Sequence, residues 1–237
     1  MTKAKKSQKI RIVKNGPYLV EGDIPLVEKI ITPKGRTYIY EEGRTLPQKE
    51  SYSLCRCGKT TTPPFCDGAH VHHSFDGEET ASREPYLDRA DTLEGPTIDL
   101  LDDHRCALAR FCHRNNGDAW QLTLASGKEE NREEAIIGAN ECPAGRLTAR
   151  EKDGTLMEPE LEPQIVVLQD PEKGVSSALY VQGGVLIESC DGTVYEVRNR
   201  VTLCRCGHSK EMPFCDASHI AESFQELGEP DYDKRKG

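Results

Sequence analysis

Apolar positions along this chain come in short bursts. The longest aliphatic runs are Ile165–Leu168 and Val185–Ile187. A membrane-spanning helix needs roughly 18 consecutive apolar residues, so none is expected. β-Branched and aromatic residues gather in PYLVEGDIPL (17–26), TYIYE (37–41), ALYVQGGVLI (178–187) and TVYE (193–196), with Gly at the turns. That pattern predicts short strands and hairpins. In the middle of the chain, Leu101, Leu108 and Phe111 mix with charges at roughly helical spacing, and Asn116–Gly117 marks an end, so a helix is expected there. NREEAIIGANECPAGRL predicts a second short helix followed by a Cys-Pro turn, and SREPYLDRADTLEGPTIDL reads as polar linker and turns.

The chain repeats itself. Residues 54–70, LCRCGKTTTPPFCDGAH, and 203–219, LCRCGHSKEMPFCDASH, share L-C-R-C-G-x5-P-F-C-D-x2-H. Duplication explains the match, and it extends upstream: 17–26 can be laid over 178–187, and 37–41 over 193–196. Each unit is expected to hold a few strands, a Cys-rich loop and a short helix starting near Asp67 or Asp216. The expected organisation is a first unit at 10–79, an insert at 80–155 and a second unit at 156–226, with flexible tails at 1–9 and 227–237.

Composition narrows the class. The 237 residues carry 31 Lys+Arg and 40 Asp+Glu, a net charge of −9, which argues against a general nucleic-acid binder. With 36% apolar, 30% charged and 6% aromatic residues, only a modest core is available, so something else must staple the structure. Ten cysteines are the candidate. MTKAKKSQK is basic with no apolar stretch behind it, so it reads as a frayed tail rather than a secretory signal. A cytoplasmic location then follows as the expectation, and the cysteines point to metal or redox chemistry rather than disulfides.

The repeated skeleton C-x-C-x8-C-x3-H supplies three thiolates and one imidazole, a complete four-ligand set. In the first copy it is Cys55, Cys57, Cys66 and His70; in the second, Cys204, Cys206, Cys215 and His219. Tetrahedral zinc and an iron–sulfur cluster compete for it. Zinc knuckles usually use C-x2–4-C. One intervening residue in extended chain instead puts both side chains on one face, where they can hold one iron of a two-iron cluster while the Cys and His of the following loop hold the other. Asp67 and Asp216 suit helix N-caps, whose N–H groups would face an anionic cluster, and Pro64 and Pro213 would stiffen the loops.

Both copies resemble the CDGSH (NEET) iron–sulfur family, whose pattern is C-x-C-x2-[S/T]-x3-P-x-C-D-G-[S/A/T]-H. The first copy matches throughout, through Thr60, Pro64, Asp67, Gly68 and Ala69; the second, with Ser209 and Pro213, departs only at Ala217, where the family has Gly. The resemblance implies two [2Fe–2S] clusters. Cys55 and Cys57 would hold the inner iron and Cys66 and His70 the outer, exposed one, repeated by Cys204 and Cys206 and by Cys215 and His219. Family members with one motif form strand-swapped homodimers, so a tandem chain could form an internal pseudo-dimer, monomeric overall. The fold class is then α+β and β-rich: two CDGSH-type cluster-binding units with a partly helical insert. The lone imidazole raises the potential above that of an all-Cys cluster, and an exposed one can take a proton.

Cys106, Cys112 and Cys142, near His104 and His113, lie in the insert. Cys142-Pro143-Ala144-Gly145 looks like the ending of a ferredoxin ligand run, and the region resembles a divergent ferredoxin-like insert of some CDGSH proteins. The C-x2-C-x2-C run is absent, so buried, unligated cysteines are expected, with a third metal site as the alternative. Cys190 reads as structural, Trp120 as the anchor of the insert's core, and His72, His73, Lys59 and His208 as solvated. Glu158–Glu162 and the terminal DYDKRKG read as solvated faces. No P-loop, dinucleotide fingerprint or nucleophile elbow occurs, so no enzyme is expected. The leading expectation is electron transfer, cluster transfer or redox sensing with redox or cluster-acceptor proteins as partners. The alternatives are a zinc-stapled interaction module and an accessory redox subunit with a third metal site.

Overall fold

The computed structural model describes residues 8–227. Five strands, β1 (Lys9–Ile12), β2 (Tyr18–Glu21), β3 (Leu26–Lys34), β4 (Thr37–Glu42) and β5 (Ser51–Leu54), lead into the first Cys-rich loop and α1 (Ala69–His72). The middle holds α2 (Tyr86–Arg89), β6 (Asp91–Glu94), β7 (Ile98–Asp102), β8 (His113–Arg114), β9 (Gly117–Asp118), α3 (Ala119–Leu124), α4 (Glu129–Asn140), β10 (Leu147–Glu151) and β11 (Leu156–Met157). Then β12 (Gln164–Asp170), β13 (Val175–Gln182), β14 (Leu186–Glu188) and β15 (Arg200–Leu203) lead to the second loop and α5 (Ser218–Ala221).

Two sheets build the frame, in the orders β14-β1-β2-β5 and β15-β13-β12-β3-β4. Each is completed from the other repeat: β14 pairs parallel with β1 at the edge of one sheet, and β3, carrying β4 on its far side, pairs parallel with β12 in the other. The registers match throughout. Tyr18 faces Leu54 as Leu179 faces Leu203, and Ile10 faces Val20 and Ile187 as Ile165 faces Val181 and Leu26. The overlay of 17–26 on 178–187 is therefore also the three-dimensional one. The overlay of 37–41 on 193–196 does not hold. β3 and β4 form a long hairpin in which Thr37 faces Lys34, whereas in the second copy a tight turn bonds Ser189 to Thr193.

Alternation explains the burial. On β12 and β13, Ile165, Val167, Leu179 and Val181 enter a core shared with Ile10, Val20, Leu54 and Leu203, while Val166, Leu168 and Tyr180 face a second core with Ala109 and Phe111 of the insert. A sheet covered on both faces carries near-continuous apolar strands, as IVVL shows.

The insert has its own sheet, in the order β11-β10-β7-β6, and its core joins Ile98, Leu100, Leu147 and Ala149 to Ala119, Leu122, Ala135 and Ala139 of α3 and α4. Its second expected helix is present as α4, and Trp120 packs on this core with its Nε1 donating to Asp102. The helix expected over 101–116 does not form. Leu101 lies in β7, between β6 and β10, and His104, Leu108 and Arg110 have positive φ, which breaks a right-handed helix. α3 begins instead at a capping box between Asp118 and Gln121. The stretch read as polar linker contributes α2, β6 and the buried start of β7. Lys9, placed in the leading tail, opens β1; of the rest of the expected tails only Gln8 and Leu227 fall within the described residues, and DYDKRKG lies outside them.

Arg200 latches the insert to the second repeat. Its guanidinium is fully buried, donates to the carbonyls of Ala139, Asn140, Cys142 and Leu147, and pairs with Glu158. Glu158, read as part of a solvated face, is thus a structural counter-charge. The acceptors at the end of α4 are carbonyls that a helix C-terminus leaves unpaired.

Candidate metal centre

The two Cys-rich loops repeat each other bond for bond. Cys55 N–H donates to Pro64 O and Cys204 N–H to Pro213 O, each at 2.8 Å; Cys66 N–H donates to Ser53 O and Cys215 N–H to Thr202 O, each at 2.9 Å. The hydroxyls of Thr60 and Ser209 donate to the carbonyls of Phe65 and Phe214. Asp67 accepts from the amides of Thr61 and Ala69, and Asp216 from those of Lys210 and Ser218. Each Asp therefore braces the loop and the helix start together. The formal cap is the next residue, Gly68 or Ala217, in the left-handed region at φ 90° and 68°. The amides of Thr61 and Ala69 hold the Asp67 carboxyl well below the usual range. Burial pushes the Asp216 carboxyl up, but hydrogen bonds from Ser218 and Lys210 outweigh it, and it too lies low.

This scaffold brings the predicted donors together in pairs. Cys55 and Cys57 sulfurs are 3.7 Å apart and Cys204 and Cys206 sulfurs 3.5 Å apart. Cys66 Sγ lies 3.5 Å from His70 Nδ1, and Cys215 Sγ lies 3.5 Å from His219 Nδ1. Two donors on one tetrahedral metal, with metal–sulfur bonds of about 2.3 Å and metal–nitrogen bonds of about 2.0 Å, would be about 3.8 Å apart for S/S and about 3.5 Å for S/N. Among the described residues no three His, Cys, Asp or Glu side chains converge as a single-ion site. The donor set therefore fits two metals per loop, two protein ligands each.

Within each pair the two thiols share a hydrogen bond, which lowers the pKa of one sulfur and raises that of the other: Cys55 and Cys204 lie below the usual thiol range, and Cys57 and Cys206 above it. Backbone amides of Gly58 and Thr60, and of Gly207 and Ser209, add to the stabilisation of the Cys55 and Cys204 sulfurs. Such N–H donors favour thiolate, the form that binds metal.

The loops meet each other. A Cβ on Gly58 would lie 2.4 Å from the Cys206 carbonyl oxygen, and one on Gly207 would lie 2.7 Å from that of Cys57. Both glycines have positive φ, 72° and 85°. Only glycine meets both demands.

Exposure separates the copies. Cys66 and His70 are half-buried, whereas Cys215 and His219 are only 3% and 2% exposed. The exposed imidazole expected at both sites is met in part at the first, where His70 is half-buried, and not at the second, where His219 is buried. Ala107 and Ala144 of the insert pack with Ala178 against Cys215, and His219 Nε2 lies 3.3 Å from Ser177 Oγ on β13. Burial, with the nearby Arg205 charge, drops the His219 pKa to about 4.

Cys106, Cys112 and Cys142 line one cavity and are half-buried rather than fully buried. Cys106 Sγ accepts from Leu108 N–H, and burial pushes the Cys112 and Cys142 thiols up. Cys190, read as structural, is exposed. His72, His73, Lys59 and His208 are exposed, as expected. Sequence reasoning missed Ser177 and Arg200, which carry no motif signal, being an ordinary strand serine and a lone arginine.

A family model described as iron-binding zinc finger CDGSH type matches the chain twice, over residues 15–71 and 177–220. The two matched stretches contain all eight donors, so each Cys-rich unit is similar to CDGSH-type iron-binding proteins. The chain carries the matched unit twice. No curated protein and no solved structure matches it. Among the described residues no helix is long and apolar enough to cross a membrane.

Proposed function

We propose that the chain binds two [2Fe–2S] clusters and serves electron transfer, cluster transfer or redox sensing, with redox or cluster-acceptor proteins as partners and no catalytic turnover of its own. The observation that carries this is the pairing of donors at tetrahedral spacing without convergence of three on one point. Cys55 with Cys57 would hold one iron and Cys66 with His70 the other; Cys204 with Cys206 and Cys215 with His219 would repeat the arrangement. The bound group supplies one-electron chemistry. Three thiolates and a neutral imidazole carry one negative charge fewer than four thiolates, which raises the potential.

The reciprocal strand order and the mutual contact of Gly58 and Gly207 with the opposite loops support an internal pseudo-dimer, so that the chain acts as a monomer. The net charge of −9 argues against nucleic acid as a partner.

A second reading adds a metal site in the insert, and its support is that Cys106, Cys112 and Cys142 line a single cavity. One experiment separates the readings: the visible spectrum of anaerobically purified protein, with iron, zinc and acid-labile sulfide counted per chain. The proposal expects about four irons and four sulfides and a red-brown colour that bleaches on reduction. Distinctly more iron supports the insert site. A colourless protein with about two zincs overturns the iron–sulfur reading in favour of a zinc-stapled module.

A further inference from the structure

We infer that the two metal sites have different jobs: the first exchanges with solvent and partners, while the second is retained inside the chain, shielded by the insert. This rests on the iron–sulfur reading above and goes beyond it, because two copies of one motif would otherwise be expected to behave alike.

The loops themselves are equivalent in their bonding, so the difference comes from what surrounds them. Around the first outer pair, Cys66 and His70, the neighbouring Lys59, Thr61, Asp67, Val71, His72 and His73 are all exposed. Val71, next to His70, is 70% exposed. The second outer pair is closed on several sides. β13 supplies Ser177 and Ala178, and the insert supplies Ala107 and Ala144. Arg105 of the insert stacks over Phe214, the residue before Cys215, with its guanidinium carbon 4.4 Å from the ring centroid. Arg200, paired with Glu158, fastens the insert in this position through the carbonyls of Ala139, Asn140, Cys142 and Leu147.

Ligand exchange at a metal requires a competing donor to approach it, and an apolar shell controls that access. The alanines and the His219–Ser177 contact remove the approach at the second site, and nothing comparable covers His70 among the described residues. The reciprocal glycine contacts keep the two Cys-x-Cys loops adjacent, so the retained site stays in communication with the open one.

The test uses three chains loaded anaerobically: the unaltered chain, one with Cys204→Ser and Cys206→Ser, and one with Cys55→Ser and Cys57→Ser. Each is challenged with excess EDTA while visible absorbance and released iron are followed. The chain keeping only the first site should lose iron at least tenfold faster than the chain keeping only the second, and the unaltered chain should decay in two phases of equal amplitude. Equal rates, a single phase, or a slower first site would overturn the inference. Should either variant fail to fold, diethyl pyrocarbonate labelling of the loaded, unaltered chain decides: His70 should be modified first and His219 only after iron is removed, and equal labelling overturns the proposal. Absence of iron and sulfide in the unaltered chain would instead defeat the iron–sulfur reading itself.

Discussion

Gly58 rests against the backbone of Cys206, so close that a single added carbon would lie 2.4 Å from the Cys206 carbonyl oxygen. Gly207 stands in the same relation to Cys57, at 2.7 Å. Each repeat's metal loop is therefore part of the wall of the other's, and neither loop can be altered at this glycine without moving its counterpart.

Gly58→Ala and Gly207→Ala should each cost about 2–3 kcal/mol, from positive φ and the clash with carbonyl backbone. Gly68→Ala should cost at most about 1 kcal/mol, because open space surrounds it and the second repeat already holds Ala217 at that point. Denaturant unfolding of the three variants checks the order; a Gly58→Ala protein as stable as Gly68→Ala would mean the loops do not touch.

Arg200→Met should destabilise the chain by about 3–5 kcal/mol, since it leaves Glu158 and four backbone carbonyls without their buried donor. Adding Glu158→Gln should recover part of that loss by removing the stranded charge. A double-mutant cycle read by chemical unfolding measures the coupling, and simple additivity would count against the latch.

The His219 pKa of about 4 makes a pH prediction for the metal-depleted chain. A histidine ordinarily near 6.5 that is held neutral when folded binds more protons in the unfolded state between those values. Its contribution is therefore complete above about pH 6.5 and lost as pH falls towards 4, by roughly 3 kcal/mol at most. Unfolding midpoints across this window should slope downward with acid, and His219→Gln should flatten the slope.

Ser177→Ala removes the hydroxyl beside His219 Nε2. Stability should change by only about 1 kcal/mol, while metal affinity at the second site falls roughly ten- to a hundredfold, because that contact orients a ligand. Chelator competition reads the affinity. Unchanged metal retention would make the contact incidental.

His70→Cys should lower the reduction potential of the first site, since a thiolate adds the negative charge that imidazole lacks. It should also leave iron in place at acid pH where the unaltered chain loses it, because the protonatable ligand is gone. Potentiometric titration and acid-induced bleaching test the two halves separately.

Much of this protein was legible from local pattern. C-x-C-x8-C-x3-H sits on one loop, and a loop's own hydrogen bonds to Pro64, Ser53 and Asp67 determine how it presents its sulfurs and imidazole. The overlay of 17–26 on 178–187 survived into three dimensions because strand register follows the same alternation that the sequence displays. The expected helix over 101–116 failed for a matching reason. Apolar residues there serve two partners, Leu101 in the insert's sheet and Phe111 stacked on Tyr40 of β4, so their spacing reflects two surfaces rather than one helical face. The capping box at Asp118 was the better signal.

What the chain's order of residues determined by itself is the chemistry: which donors, in which pairs, twice. Only the tertiary structure decided that the pairs differ. His70 and His219 occupy the same motif position, and nothing within either motif distinguishes their exposure. Burial sums what distant segments bring, here Ala107, Ala144 and Ser177, and those segments are placed by strand pairing across the repeats and by the Arg200 latch. A ligand's identity is local, but its access to water is a property of everything folded around it.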